Sequence, residues 1–127
     1  MIYSRRVHFY ETDAQGVVHH SNYFRYFEEA RDKFFRERGY PYSKLREAGY
    51  EVVLLEARCS FKKPLLFAEL FNIHIKLSEL NRYKFSFEYE VFVEEELKAV
   101  AYTAHCVIKG GKIVSIPRDL LHELQGA

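Results

Sequence analysis

Phe9-Tyr10-Glu11-Thr12-Asp13-Ala14-Gln15-Gly16-Val17-Val18-His19-His20-Ser21-Asn22-Tyr23 is the stretch on which the reading of this chain turns. It leaves a strand expected over about residues 2 to 10, where Ile2, Val7 and Phe9 alternate imperfectly, bends at Gly16, and enters a helix. Apolar residues then fall at Tyr23, Phe27, Ala30 and Phe34, and a spacing of four, three and four marks one helix face. Phe24 and Phe35 widen that stripe, so the helix is expected to pack on a broad concave surface. Ser21 or Asn22 can cap its start with a side-chain oxygen. Gly39 can end it, and Pro41 cannot continue it.

Beyond a short turn or helix around Tyr42 to Ala48, everything to Ile116 reads as strand. Leu55, Ala57, Cys59 and Phe61 alternate with Glu56, Arg58, Ser60 and Lys62, and Phe71, Ile73, Ile75 and Leu77 with Asn72, His74, Lys76 and Ser78. Tyr83, Phe85, Phe87, Tyr89, Val91 and Val93 form the longest alternating run. Alternation of this kind buries one face of a strand. Leu97 to Lys109 follows, Gly110-Gly111 signals a tight hairpin into Lys112 to Ile116, and Pro117 opens a terminal helix through Leu124. A strand, one long helix and then about five strands with short connections imply an α+β fold, with the helix laid on a mostly antiparallel sheet. The free face and edges of that sheet predict subunit pairing. At 127 residues without repeat or linker, the chain is expected to form one domain, residues 1 to 127.

Composition narrows the function. Nineteen basic against eighteen acidic side chains leave a net charge of +1, which gives no strong field toward nucleic acid. No apolar run reaches membrane-span length and the first residues lack a secretory pattern, so the expected location is the cytoplasm. Cys59 and Cys106 lack metal or redox spacing and read as buried thiols. Adjacent His19 and His20 beside Asp13 have no third ligand at a diagnostic spacing, so no metal is expected. His105 and Cys106, as strand neighbours, point to opposite faces and cannot form a nucleophile pair.

The chemistry lies in the opening stretch. A helix start offers unpaired N–H groups and a partial positive charge to a carbonyl oxygen, and a carboxylate just before it can act on the same acyl carbon. By itself Asp13 reads first as a turn residue that makes local hydrogen bonds, as an Asp before a helix usually does. The run from Thr12 to Tyr23, together with Phe27-Glu28-Glu29-Ala30-Arg31 and Pro64, resembles the signature of the YbgC and 4-hydroxybenzoyl-CoA thioesterase branch of the hotdog superfamily over nearly the whole chain. It departs from that signature at Gln15, where many relatives carry Gly, and at Phe9, where YbgC-type relatives can carry Tyr.

The resemblance implies a hotdog fold, a central helix wrapped by the sheet, with active sites between two subunits. It implies hydrolysis of an acyl-thioester of coenzyme A or acyl carrier protein without metal or redox cofactor. Asp13 matches the catalytic carboxylate, as general base or nucleophile, and His20 the position whose backbone amide polarises the carbonyl. Gly16 matches the turn glycine. Val18, His19, Tyr23 and Phe27, with Phe24, are the expected substrate contacts. Lys62 and Arg82, with Lys63 and Lys84, are candidates for coenzyme A phosphates. Glu28 and Glu29, on the helix where another hotdog branch keeps its carboxylate, are expected to be structural or solvent-facing. A homodimer or homotetramer is expected. Two alternatives remain open at this stage: a dehydratase on hydroxyacyl thioesters using His19 or His20 with Asp13, and a noncatalytic acyl-thioester binding module.

Overall fold

The seventeen-residue helix α1, Ser21–Glu37, buries Asn22, Tyr23, Tyr26, Phe27, Ala30, Phe34 and Phe35. A computed structural model describes residues 1–126 and shows what that face meets. The strands are β1 (Ile2–Arg6), β2 (Tyr50–Phe61), β3 (Leu70–Leu80), β4 (Lys84–Val93), β5 (Glu96–Lys109) and β6 (Lys112–Val114), with helices α2 (Tyr42–Glu47) and α3 (Arg118–Gln125). All pairings are antiparallel, in the order β1-β3-β4-β5-β2, and β6 extends the sheet on β5. The sheet curls around α1, which is the hotdog arrangement.

Aromatic packing explains why helix and sheet adhere. Phe34 meets Phe87 at 4.9 Å, Phe27 meets Tyr89 at 4.6 Å and Tyr26 meets Phe71 at 4.7 Å between ring centroids. All six rings are essentially inaccessible, and full burial of such a side chain stabilises by about 1.5–3 kcal/mol. The opposite sheet face is polar, with Lys76 paired to Glu88, Ser78 to Ser86, and the Tyr102 hydroxyl donating to Glu79. Leu120 and Leu124 of α3 close one end of the core.

Three local expectations are corrected. The first strand stops at Arg6, because His8 N–H donates to the Glu11 carboxylate and Glu11 N–H to the His8 carbonyl, winding Phe9–Glu11 into a 3-10 turn. Neither Ser21 nor Asn22 caps α1. His20 occupies the cap position in helical backbone geometry without a side-chain cap, because Ser21 Oγ bonds His19 Nδ1 and Asn22 Nδ2 donates to the Glu11 carbonyl. The alternation of β2 breaks at a bulge: Leu54 pairs with His105 and the register resumes at Glu56 with Ala104, leaving Leu55 unpaired.

Candidate active site

Asp13 sits in a loop stitched at several points. Thr12 and Val18 form an antiparallel bridge, Val17 pairs with Leu66, and Asp13 N–H donates to the Val17 carbonyl at 2.9 Å. Gly16 takes φ +79°, a conformation unfavourable for residues with a Cβ, and its N–H reaches the Asp13 carbonyl at 3.0 Å. Val18 N–H reaches the Leu65 carbonyl at 2.8 Å, and His19 N–H the Glu11 carbonyl at 3.0 Å. The Asp13 carboxylate therefore stands in the open, accepting a hydrogen bond from Gln15 N–H at 2.8 Å.

The same Glu11 carbonyl also accepts from Asn22 Nδ2 at 2.9 Å, which locks the loop to the first turn of α1. Behind it the buried Glu11 carboxylate takes Arg5 Nη2 at 2.8 Å, and Arg5 Nη1 reaches Glu29 at 3.0 Å. Tyr3 donates to Glu29 at 2.6 Å. Burial first, and then the bond to Glu29, raise the Tyr3 phenol far above its ordinary range. Glu29 is thus structural, as expected, and Arg5, Glu11 and Asn22 are supports that no motif or spacing revealed.

A cavity of about 330 Å³ opens beside the loop, lined by Asp13, Val18, His19, His20, Tyr23, Phe61, Lys62, Lys63 and Pro64. Tyr23 and Phe61 meet edge to face at 4.8 Å and form its apolar wall. Among the described residues the backbone N–H of His20 has no intramolecular acceptor, whereas those of Asn22 and Tyr23 are turned back to the His19 and His20 carbonyls. The His19 and His20 rings lie 4.2 Å apart, and His19 Nδ1 bonds Ser21 rather than Asp13.

The expected substrate contacts divide. Val18, His19, Tyr23 and Lys62 line the cavity with Asp13 and His20, and Gly16 shapes the loop beside it. Phe27 does not line it: fully buried against Tyr89, it belongs to the core. Arg82 lies elsewhere, in the β3–β4 turn, where its carbonyl accepts from Ile116 and its side chain lines a separate hollow with Tyr50. Lys84 begins β4, away from Asp13, and Lys63 is tied to Glu96 at 2.8 Å, so among the described residues Lys62 is the lysine at the rim without an ion-pair partner. Phe61 was legible only as a strand residue. Its place in the wall follows from where β2 ends.

Among the described residues no group of three His, Cys, Asp or Glu side chains could hold a metal ion. Cys59 is pushed up to about 11 by burial and Cys106 is enclosed, which leaves neither as a ready nucleophile. No described helix is long and apolar enough to cross a membrane.

A helix wrapped by a curved antiparallel sheet, with a carboxylate loop at the helix start, defines a hotdog protein of the thioesterase kind. The chain belongs to the Thioesterase-like superfamily, whose family model matches residues 7–124. It is similar to a hypothetical protein of Aquifex aeolicus known from a crystal structure, 60% identical, covering 98% of each chain with a TM-score of 0.95. The solved gentisyl-coenzyme A thioesterase BH1999 is 30% identical over 98% of this chain and 99% of its own, with a TM-score of 0.91. The 1,4-dihydroxy-2-naphthoyl-CoA hydrolase of Thermosynechococcus vestitus is 30% identical, covering 84% of this chain and 75% of that protein. Family membership supports thioester hydrolysis as the general activity.

Proposed function

We propose that this chain hydrolyses acyl-coenzyme A thioesters, with Asp13 as the catalytic carboxylate. The observation that carries this reading is one cavity lined both by Asp13, whose carboxylate is exposed, and by His20, whose helix-start N–H has no acceptor among the described residues. The thioester oxygen docks on the His20 N–H, and Asp13 either takes a proton from the attacking water or adds to the carbonyl itself. On the first route the tetrahedral adduct expels the thiolate and the acid leaves directly; on the second, thiolate expulsion leaves an acyl anhydride on Asp13, which water then hydrolyses to the free acid and the regenerated carboxylate. A donor held where charge develops contributes on the order of 3 kcal/mol to lowering the barrier. Coenzyme A is favoured over a carrier protein by the names of two relatives, which specify CoA thioesters. Lys62 at the rim suits a phosphate.

The working unit in this reading is a pair of chains. One edge of β2 pairs with β5, and among the described residues nothing pairs with the other over twelve residues that include Val52, Val53, Leu54 and Leu55 and no proline. Leu54 and Phe61 are half-exposed along it. A long apolar edge invites strand addition, and a second copy of β2 running antiparallel closes it. That pairing sets the Tyr50 end of one β2, with Arg82 near it, toward the Asp13 cavity of the other.

The test is thiol release across short, long and aromatic acyl-CoAs. Asp13→Asn, nearly isosteric, should lose turnover by orders of magnitude while keeping its fold. Near wild-type turnover by the variant would remove Asp13 from the mechanism.

A further inference from the structure

A second cavity, of about 500 Å³, lies at the opposite end of β2, between α1, α2 and the stretch from Tyr50 to Leu54. Arg31 of α1, Tyr42 of α2 and His105 of β5 all line it. Beneath it runs a chain of hydrogen bonds. Arg31 Nη1 donates to the Tyr89 hydroxyl at 3.0 Å, that hydroxyl lies 2.6 Å from Thr103 Oγ1, and Thr103 Oγ1 lies 2.8 Å from His105 Nε2. Burial first, and then the Arg31 charge, hold the His105 imidazole down to about 3, so it is neutral. Burial pushes the Tyr42 phenol up to about 12.

The guanidinium is thus the one full charge in this network. No ion pair among the described residues includes Arg31, and its buried Nε has no hydrogen-bond partner. Glu28, Arg46 and Glu51 also face the cavity, but from exposed positions where solvent screens them. A cation withdrawn from water without a counter-ion is costly. A guanidinium presents a planar fork that matches a carboxylate.

Within one chain roughly 23 Å of strand separates Leu54, at this cavity, from Phe61, at the Asp13 cavity. Antiparallel pairing of two β2 edges about their middle reverses that relation, because the Tyr50 end of one strand then faces the Phe61 end of the other. We propose that the Arg31 cavity of one subunit receives the far end of the acyl group whose thioester lies at Asp13 of the other, and that Arg31 selects acyl groups ending in a carboxylate. This inference rests on the thioesterase and dimer readings above.

The test has a kinetic and a binding arm. In the first, wild-type kcat/KM is compared for glutaryl-, adipyl- and suberyl-CoA, for methyl-ended acyl-CoAs of matched length, and for a hydroxybenzoyl-CoA. At least one carboxylate-ended substrate should exceed its methyl-ended partner and the hydroxyaryl thioester by tenfold or more, and Arg31→Met should abolish the difference. In the second, calorimetric Kd values are taken on Asp13→Asn, which binds without turnover. The same tenfold preference should appear there, be lost on adding Arg31→Met, and weaken with Tyr42→Phe, which keeps the test open if the Arg31 variant fails to fold. Equal or better binding and turnover of the methyl-ended or hydroxyaryl compounds overturns the proposal. Absence of thiol release from every acyl-CoA, with Arg31-dependent binding intact, sinks the thioesterase reading and leaves the pocket standing.

Discussion

In the proposed mechanism His20 acts through its backbone N–H, an atom that no side-chain substitution deletes except proline. His20→Ala keeps the N–H and should cost little turnover, whereas His20→Pro removes it and should cost on the order of a hundredfold in kcat. Initial rates at saturating acyl-CoA, on protein shown to be folded, decide this, and equally severe losses in both would move the chemistry to the imidazole. His105 makes a residue-scale prediction of a different kind. Its folded pKa of about 3 lies below the ordinary 6.5. Above 6.5 the ring is neutral whether the chain is folded or not. Between 6.5 and about 3 only the unfolded chain takes the proton, so this residue makes stability fall with falling pH, by up to about 1.4 kcal/mol per pH unit. Urea unfolding across that window should show the slope in the wild type and a shallower one in His105→Gln.

At the scale of elements, the start of α1 is held by the ion-paired chain from Glu29 through Arg5 to Glu11. Arg5→Met strands the Glu11 carboxylate in a buried position, which should cost roughly 3–5 kcal/mol. Breaking the exposed Arg36–Asp32 pair with Arg36→Ala should cost under about 1 kcal/mol. Paired denaturation curves measure both, and equal effects would mean that the buried chain does not anchor the helix. The contrast also shows what patterning can carry. The period from Tyr23 to Phe34 and the alternation from Phe85 to Val91 were legible because each element buries one side. The 3-10 turn at Phe9–Glu11 was not, because a side-chain bond between His8 and Glu11 decides it and leaves no period. The β2 bulge was equally invisible, since it exists only relative to β5. At the site, Asp13, Gly16 and His20 could be named from the run that carries the family resemblance. Phe61 and the Arg31 cavity could not, because strands far along the chain bring their parts together, Arg31 meeting Tyr89 across 58 positions.

For the whole molecule, the pairing proposed at the β2 edge makes a prediction about assembly. Wild-type protein should sediment as a dimer or a multiple of one, and Leu54→Lys, which sets a charge on that half-exposed edge, should yield a folded monomer with little turnover. A wild-type monomer that turns over acyl-CoA would refute the shared-site arrangement. The loop around Asp13 carries one more consequence. Surface segments ordinarily exchange their amide hydrogens quickly, because they can open alone at small free-energy cost. This one cannot open alone: parting Val18 from Leu65, Val17 from Leu66 and His19 from Glu11 also frees the turn before β3 and the first turn of α1. The hydrogen-bonded amides of Asp13, Val18 and His19 should therefore be as slow to exchange as those of the central strands, which would mean that the carboxylate is held in place before substrate arrives.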